Sequence, residues 1–382
     1  MKFTNRKIRL TIIFGLLGFA ASTLTLVSAF GQNAPAIASN TPPEGTVLAE
    51  SPIGIKQVPI GIKQVESPPI GFDPAAMSAG DRLRYAIPPA PDAVMHPDEY
   101  EHWKRVVSAM ADPKKRVQTT LMQTKIRHGP ARKLNVSPTS GPVHGVGTLQ
   151  SSNWSGTAVY DPSDRFKVEA IFGAFVVPAA RQAVGVCDGG WDYASFWVGI
   201  DGLASNSNDV LQAGFDSDAY CAANGTSTCY CAWIEWFPNN AIYVNFPFSP
   251  GDLIWIEVWN TSATTGYAYL YNYSTEQYAS YVLTPPAGTA LVGNSVEWIV
   301  ERPSIGSGTT LATLANYNAT SMYSGFAWNY NASSPTYQYA WQPPASGNIY
   351  AITMLDDSGK PISNVGAPQL NFLWFWNSGS SY

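Results

Sequence analysis

The stretch "VEWIVERP", residues 296–303, has the composition of a buried β-strand that ends at a proline. Side chains alternate along a strand, so Glu297, Ile299 and Glu301 share one face, while Trp298 points to the other. Two carboxylates therefore point in the same direction from a segment that is otherwise apolar. Alternation alone does not distinguish functional carboxylates from a solvated face of a sheet.

Runs of the same character recur from about residue 149 to the end of the sequence. Segments rich in Val, Ile, Trp, Tyr and Thr, such as "ASFWVGI", "YCAWIEWFP" and "DLIWIEVWN", alternate with clusters of Gly, Asn, Asp and Pro. No amphipathic helical pattern of useful length interrupts them. The pattern predicts an all-β domain over residues 149–382, folded as an antiparallel sandwich or barrel.

Residues 1–30 have the features of a secretory signal peptide. Four Lys and Arg residues between positions 2 and 9 precede the apolar run "LTIIFGLLGFAASTLTLVSAF", and small residues follow it. Because the run is about long enough to span a bilayer, an uncleaved anchor is the alternative. No later segment has the pattern of a membrane span, and we expect a secreted, extracellular protein.

Residues 31–148 are predicted to form a propeptide in three parts. Residues 31–80 are low in complexity and contain the direct repeat "PIGIKQV", which indicates an extended linker. Residues 81–130 form a basic part, in which "PDEYEHWKRVVSAMADPKKRVQTTLMQTKI" has helical spacing with a break at Pro113. Residues 131–148 return to a turn-rich linker.

The net charge of −5 conceals two segments of opposite sign. The first 148 residues contain seventeen Lys and Arg against ten Asp and Glu, whereas the remainder contains five against seventeen. We expect the basic, helical part of the propeptide to cover an acidic catalytic face. The alternative is that the two segments merely differ in composition.

The four cysteines, Cys187, Cys221, Cys229 and Cys231, belong to a chain that is expected to be exported. An oxidising compartment favours one or two disulfides, and three connectivities are open. A metal site at the "CYC" sequence has no histidine nearby to support it.

The residue types of the acidic domain exclude several kinds of chemistry. It contains no histidine, so we expect neither Ser-His-Asp nor Cys-His catalysis, nor a zinc site with histidine ligands. Its five basic residues disfavour nucleic-acid binding. We expect no metal and no cofactor, and carboxylates and amides remain as the groups for acid–base work.

Five residues of this kind lie in otherwise apolar strands: Gln212, Glu235, Glu257, Glu297 and Glu301. A carboxyl group among aromatic side chains has its pKa raised by desolvation and can exchange protons in acid. A strand amide can donate a hydrogen bond to a developing oxyanion. For each residue the competing interpretation is a solvated glutamate or a satisfied glutamine.

Five motifs in one order together resemble the glutamic peptidases, or eqolisins. They are "NWSG", "WVGIDG", "LQAGFD", "AWIEWFP" and "VEWIVE", which begin at residues 153, 197, 211, 232 and 296. The resemblance implies a two-sheet antiparallel β-sandwich of the concanavalin or jelly-roll type. It also implies a secreted, acid-active endopeptidase that is made as a proenzyme.

The resemblance further implies a catalytic pair, Gln212 and Glu301. Glu301 would act as the general acid and base that activates water, and Gln212 would stabilise the tetrahedral oxyanion. Substrate-binding or supporting roles are implied for the side chains of Trp154, Trp197, Asp201, Asp216, Glu235 and Glu297. Fungal members have a disulfide between the "GIDG" region and the catalytic-Glu strand that this sequence lacks, and Cys231 replaces an acidic residue.

Two other function classes stay open at this point. A sandwich glycoside hydrolase would need two catalytic carboxylates about 5–9 Å apart, and a non-catalytic carbohydrate- or surface-binding protein would use the aromatic residues alone. For the peptidase we expect polypeptide substrates and a monomer. We also expect the chain's own propeptide to act as an intramolecular inhibitor and chaperone, with no nucleic-acid partner and no membrane contact beyond the signal segment.

Overall fold

The structure, a computed structural model, describes most of the chain beyond residue 60. The described ranges are 61–135, 144–160, 169–183, 187, 189–223, 225–306, 310–329, 336–340, 347–366 and 371–376. The expectations for residues 1–30 and for the first copy of the repeat, residues 52–58, lie outside them. Within the described ranges, no helix is both long and apolar enough to cross a membrane.

Two α-helices lie in the N-terminal part: α1 (Ala79–Arg84) and α2 (Pro97–Ser108). Pro97 occupies the first position of α2, where a missing N–H costs nothing, and acidic residues in the first turn complement the helix dipole. Three single-turn 3-10 helices are Pro74–Ala76, Ala109–Ala111 and Pro113–Lys115. The helical character expected up to residue 127 is wrong beyond Lys115, because the chain there pairs with strands instead.

Strands form most of the remaining described structure. They are β1 (Ile62–Gln64), β2 (Leu121–Gln123), β3 (Ile126–Arg127), β4 (Lys133–Asn135), β5 (His144–Ser151), β6 (Trp154–Tyr160), β7 (Ala170–Val176), β8 (Trp191–Asp192), β9 (Ser195–Ile200), β10 (Val210–Ala222), β11 (Gly225–Phe237), β12 (Ile242–Val244), β13 (Leu253–Ser262), β14 (Thr265–Asn272), β15 (Tyr278–Leu283), β16 (Ser295–Glu301), β17 (Ser304–Ile305), β18 (Ala319–Asn329), β19 (Thr336–Tyr339), β20 (Gly347–Leu355), β21 (Pro361–Val365) and β22 (Asn371–Trp376).

The strands build two packed sheets, which confirms the antiparallel β-sandwich. The front sheet has the spatial order β4-β5-β20-β6-β16-β9-β10-β11-β12-β2, with β5 and β20 parallel and its other neighbours antiparallel. The back sheet has the order β22-β18-β7-β13-β14-β15-β1 and is antiparallel throughout. Strand β21 pairs with both β20 and β22 and so joins the two sheets at one side.

An apolar core fills the space between the sheets. The front sheet contributes residues such as Val198, Leu211 and Trp298, and the back sheet contributes Ile256 and others, all fully or almost fully buried. The Trp298 indole donates a hydrogen bond of 2.8 Å to a back-sheet carbonyl oxygen. Because Trp298 points into this core, alternation places Glu297 and Glu301 on the outer face of the front sheet.

Helix α2 packs against the outer face of the back sheet, which is rich in aromatic side chains. Trp103 and Val106 are buried there in a cluster that includes Trp255 and Tyr269. The Tyr269 hydroxyl donates a hydrogen bond of 3.0 Å to the Val106 carbonyl oxygen. The expectation that the helical part covers the catalytic face is therefore wrong for α2, because its apolar side fits the aromatic face of the opposite sheet. Residues 126–130 of the same predicted part do lie on the front sheet's outer face.

The extended chain after α2 covers the outer face of the front sheet. Strand β2 pairs with β12 at the sheet edge, and β3 pairs with β17. Ile126 is buried in a cluster with Trp154, Trp197 and Trp233.

The segments that were expected to be linkers also form paired strands: β1 extends the back sheet, and β4 and β5 extend the front sheet. The division of the chain at residue 148 stays a prediction.

The four cysteines form two disulfides, Cys187–Cys221 and Cys229–Cys231. Both involve the long hairpin of β10 and β11. The pairing selects one of the three connectivities that the sequence left open.

Candidate active site

Strand pairing brings the predicted site residues to one face of the front sheet. Glu297 pairs with Gly199, and Gly199 pairs with Gln212 on the next strand. Gln212 in turn pairs with Glu235. Residues directly opposite each other share a face, as do residues four apart on one strand such as Glu297 and Glu301. The carboxyl groups and the amide therefore lie together on the face opposite the core.

A short stretch of the N-terminal region, residues 126–132, lies across this face, and we call it the docked segment. Three consecutive carbonyl oxygens of the docked segment accept hydrogen bonds from side chains of the front sheet or its margin. The donor–acceptor pairs are Gln212 Nε2 to the His128 oxygen, Trp154 Nε1 to the Gly129 oxygen (3.0 Å) and Asn153 Nδ2 to the Pro130 oxygen (3.2 Å). Donors aimed at successive carbonyl groups bind an extended peptide by its backbone.

The imidazole of His128 lies in a closed pocket on this face. Its ring is stacked on Trp233, with centroids 3.6 Å apart and planes 5° from parallel. Nδ1 lies 2.8 Å from Glu235 Oε2, and Nε2 lies 3.0 Å from Ser195 Oγ and 3.7 Å from Asp216 Oδ1. Burial lowers the pKa of His128, but hydrogen bonds and charge from Asp216 and Glu235 outweigh it and raise the pKa to about 10. The ring is therefore a buried imidazolium that donates from both nitrogens.

Glu301 is buried beside the docked segment. Its Oε1 accepts a hydrogen bond of 3.1 Å from Asn153 Nδ2, and its Oε2 accepts one of 3.0 Å from Trp197 Nε1. Burial raises the pKa of Glu301 to about 8, against the opposing effects of His128 and of these two donors. The Asn153 amide that holds Glu301 is the same one that holds the Pro130 carbonyl, so Glu301 lies next to a bound peptide backbone.

Gln212 is fully buried under the docked segment. Its Nε2 donates a hydrogen bond to the His128 carbonyl oxygen. Its Oε1 has no hydrogen-bond partner among the described residues. A buried acceptor without a partner costs stability unless a further donor, such as a water, reaches it. Gln212 can therefore hold a carbonyl oxygen and a water at once.

The other predicted residues divide into those that hold the pocket and those that lie outside it. Asp216 accepts hydrogen bonds from Trp233 Nε1 (2.8 Å) and Tyr243 Oη (2.7 Å) and so fixes the stacking surface. Asp201 instead accepts backbone N–H bonds from residues 292–294, and burial raises its pKa to about 6. It anchors the loop that leads into β16.

Glu297 is buried on the same face but in a different environment. Burial raises the pKa of Glu297 well above its usual value, against the opposing effect of the Ser295 hydroxyl. Glu257, the remaining strand glutamate, projects with Trp255 from the back sheet and accepts a hydrogen bond of 3.0 Å from its indole. It does not belong to this face.

Three residues of the site were missed by sequence reasoning: His128, Asn153 and Ser195. The exclusion of histidine from the acidic domain is correct for its sequence, but the fold brings His128 into the site from the N-terminal region. The sequence does contain features that could have identified Asn153 and Ser195. Asn153 directly precedes Trp154 in the "NWSG" motif, and Ser195 shares its strand face with Trp197 by alternation.

The chain is similar in sequence to two curated proteins. Aspergillopepsin-2 from Aspergillus niger is 32% identical over 183 residues, which cover 45% of this chain and 62% of that protein. Scytalidopepsin B from Scytalidium lignicola is 32% identical over 151 residues, which cover 39% of this chain and 51% of that protein. The chain thus spans less than two thirds of the length of these curated relatives.

Two solved peptidase structures show partial similarity to the chain. A crystal structure of scytalido-glutamic peptidase with a transition state analog inhibitor gives a TM-score of 0.46 at 21% identity, covering 59% of this chain and 98% of that one. Aspergilloglutamic peptidase from Aspergillus niger gives a TM-score of 0.39 at 26% identity, covering 49% and 99%. The sequence model of the Peptidase A4 family matches residues 152–352, which is more than half of the chain. The chain belongs to the Peptidase A4 family.

Proposed function

We propose that this protein is a secreted, acid-active endopeptidase, made as a proenzyme, that cleaves peptide bonds with Glu301 and Gln212. The observation that carries the proposal is the binding of three successive carbonyl groups by Gln212, Trp154 and Asn153. The face binds a peptide backbone, and it does so directly beside a buried carboxyl group with a perturbed pKa.

In this proposal each member of the pair has one role. Glu301, as a carboxylate, takes a proton from a water whose oxygen attacks the carbonyl carbon. Gln212 Nε2 donates to the carbonyl oxygen and stabilises the oxyanion that develops there. Gln212 Oε1, which has no partner among the described residues, accepts a hydrogen bond from the attacking water. Glu301 then donates its proton to the leaving nitrogen.

The docked segment keeps this pair inactive in the proenzyme. With a pKa of about 8, Glu301 is protonated in acid, and a carboxylic acid is too weak a base to take a proton from water. The segment also occupies the positions of substrate carbonyl groups. When the segment leaves and water enters, the burial that raises the Glu301 pKa is relieved, and the carboxylate forms at lower pH before substrate binds.

The test is proteolysis of a denatured protein by the full chain after incubation in acid, with new termini mapped by mass spectrometry. We expect internal peptide bonds to be cut in acid. Gln212→Ala should lower kcat by roughly 10²–10³-fold, because one oxyanion donor is lost. Absence of cleavage by the wild type across the acid and neutral range, or unchanged kcat in Gln212→Ala, would contradict the proposal.

One arrangement in the site favours a second candidate, a histidine-dependent serine hydrolase. Ser195 Oγ, His128 and Glu235 are linked in the order of a nucleophile, a base and an orienting carboxylate. Two observations argue against it. His128 is already protonated, so it cannot accept the serine proton. Ser195 Oγ is fully buried, and the backbone of His128 itself fills the face.

Ser195→Ala separates the two candidates. If Ser195 only supports the pocket, the acid activity of the variant should stay within about tenfold of wild type, since a buried hydroxyl that accepts one hydrogen bond is lost. A serine nucleophile would instead make the loss at least about 10³-fold. The measurement is kcat/KM on the same denatured substrate, with folding checked by circular dichroism.

A further inference from the structure

The pocket that holds the His128 side chain has four functional walls. Trp233 supplies a flat aromatic floor, Glu235 lies at one edge of the ring, and Ser195 lies at the other with Asp216 behind it. His128, Glu235 and Asp216 are all fully buried. The pocket therefore encloses the imidazole and places a hydrogen-bonding group beside each of its two ring nitrogens.

The position of this pocket relative to the catalytic pair is fixed by the backbone of the same residue. The carbonyl oxygen of His128 is the one that Gln212 Nε2 holds. In the proposed reaction, that position belongs to the carbonyl group of the bond that is cut. The residue in the pocket is therefore the one on the acyl side of the cleaved bond.

The shape and chemistry of the pocket favour an imidazolium over other side chains. A phenylalanine ring would stack on Trp233 but leave the Glu235 carboxyl and the Ser195 hydroxyl without their donors, and buried groups without partners are costly. A lysine would supply the charge but no flat face for stacking. A flat cation with donors on two edges can stack on Trp233 and satisfy both Glu235 and Ser195, and histidine in acid is such a group.

We propose that the Trp233–Glu235–Ser195–Asp216 pocket is a specificity subsite that selects histidine on the acyl side of the cleaved bond. This inference rests on the proposed peptidase function. The reaction itself is hydrolysis: the water oxygen bonds to the histidine carbonyl carbon, and the bond from that carbon to the next nitrogen breaks. One water proton passes through Glu301 to the leaving nitrogen, so the products are a histidine carboxyl group and a new amine.

The experiment uses three octapeptides and the full chain after incubation in acid. One peptide has the sequence of residues 125–132, "KIRHGPAR", and the others carry Phe or Lys in place of the histidine. Phe keeps the flat ring without the charge, and Lys keeps the charge without the ring. Rates of cleavage after the fourth residue are measured for the wild type, for Glu235→Gln and for Glu257→Gln, a matched control at a buried glutamate outside the site.

We expect the wild type to cut the histidine peptide roughly tenfold or more faster than either of the others, the factor that one charge-assisted hydrogen bond supplies. In Glu235→Gln the ratio of histidine to phenylalanine rates should fall towards one, while Glu257→Gln should keep the wild-type ratio. Equal rates for the three peptides, or an unchanged ratio in Glu235→Gln, would overturn the subsite while leaving the peptidase intact. Failure to cut any peptide or any denatured protein would overturn the proposed function and the subsite with it.

Discussion

Replacing His128 with alanine is expected to lower the free energy of unfolding of the full chain at about pH 6 by about 3–5 kcal/mol, because removing one partner of a buried ion pair leaves the other uncompensated. The partner left behind is Glu235, which is fully buried and loses both the ring and its charge. The measurement is urea unfolding in a Glu301→Gln background, which prevents self-digestion.

The matched control is His102→Ala, on the exposed side of α2. It should change the free energy of unfolding by no more than about 0.5 kcal/mol, as expected for a surface position. A similar loss of stability in both variants would mean that the effect does not depend on the buried position of His128. No loss in His128→Ala would mean that the docked segment does not hold its position through this side chain.

The contribution of His128 should also depend on pH in a defined direction. Its pKa is about 10 in the folded chain, against an ordinary value of 6.5. A raised histidine pKa stabilises the folded state fully below the ordinary value, and the contribution is lost as the pH rises towards the folded value. The difference in stability between His128 and His128→Ala should therefore be constant in mild acid and shrink between about pH 7 and 10.

The outer-face position of Glu297 and Glu301 could be predicted because it depends on a local rule. Alternation fixes the faces of β16 once Trp298 is known to point inwards, and the apolar neighbours of the strand give that direction. Alternation along β10 likewise places Gln212, a polar residue in an otherwise apolar strand, on the outer face. The sequence could not separate the two glutamates, whereas the fold does: Glu301 contacts Asn153 and Trp197, and Glu297 does not share these donors.

The docked segment could not be predicted, because nothing local distinguishes "RHGP" from a turn-rich linker. His128 enters the site through contacts with residues far along the chain, at Ser195, Glu235 and Gln212. Only the packed structure shows that a domain without histidine acquires one from another region.

The expectation that α2 covers the catalytic face is wrong because burial of apolar surface contributes more free energy than exposed ion pairs do. Opposite net charges suggested that the basic helix covers the acidic site, but an exposed ion pair is worth only about 0–1 kcal/mol. Burying a tryptophan such as Trp103 against an aromatic face removes enough apolar surface to outweigh several such pairs. The aromatic face of the back sheet therefore determines where α2 binds.

Replacing Glu301 with glutamine is expected to lower kcat/KM for acid proteolysis by about 10³-fold or more, because one side chain supplies both the base and the acid of the reaction. Glutamine has nearly the same shape and keeps one oxygen that can accept from Asn153 Nδ2 or Trp197 Nε1, but its NH2 group cannot accept from the other donor. A loss of about 10³-fold is larger than the effect of that one hydrogen bond and would report the missing proton transfer. To remove the docked segment without self-cleavage, the variant is first treated with wild-type protein coupled to beads, which are then withdrawn.

The matched control is Glu297→Gln on the same strand and face. Glu297 does not share the Asn153 and Trp197 donors that hold Glu301, and burial raises the pKa of Glu297 and so favours the uncharged form. An amide of the same shape should therefore keep activity within about tenfold of wild type. The most direct measurement is thus the rate of acid proteolysis by the wild type, Glu301→Gln and Glu297→Gln, prepared identically and assayed on one denatured substrate. We expect that only Glu301→Gln is inactive. Activity retained in Glu301→Gln, or lost in Glu297→Gln instead, would contradict the assignment of Glu301 as the catalytic acid and base.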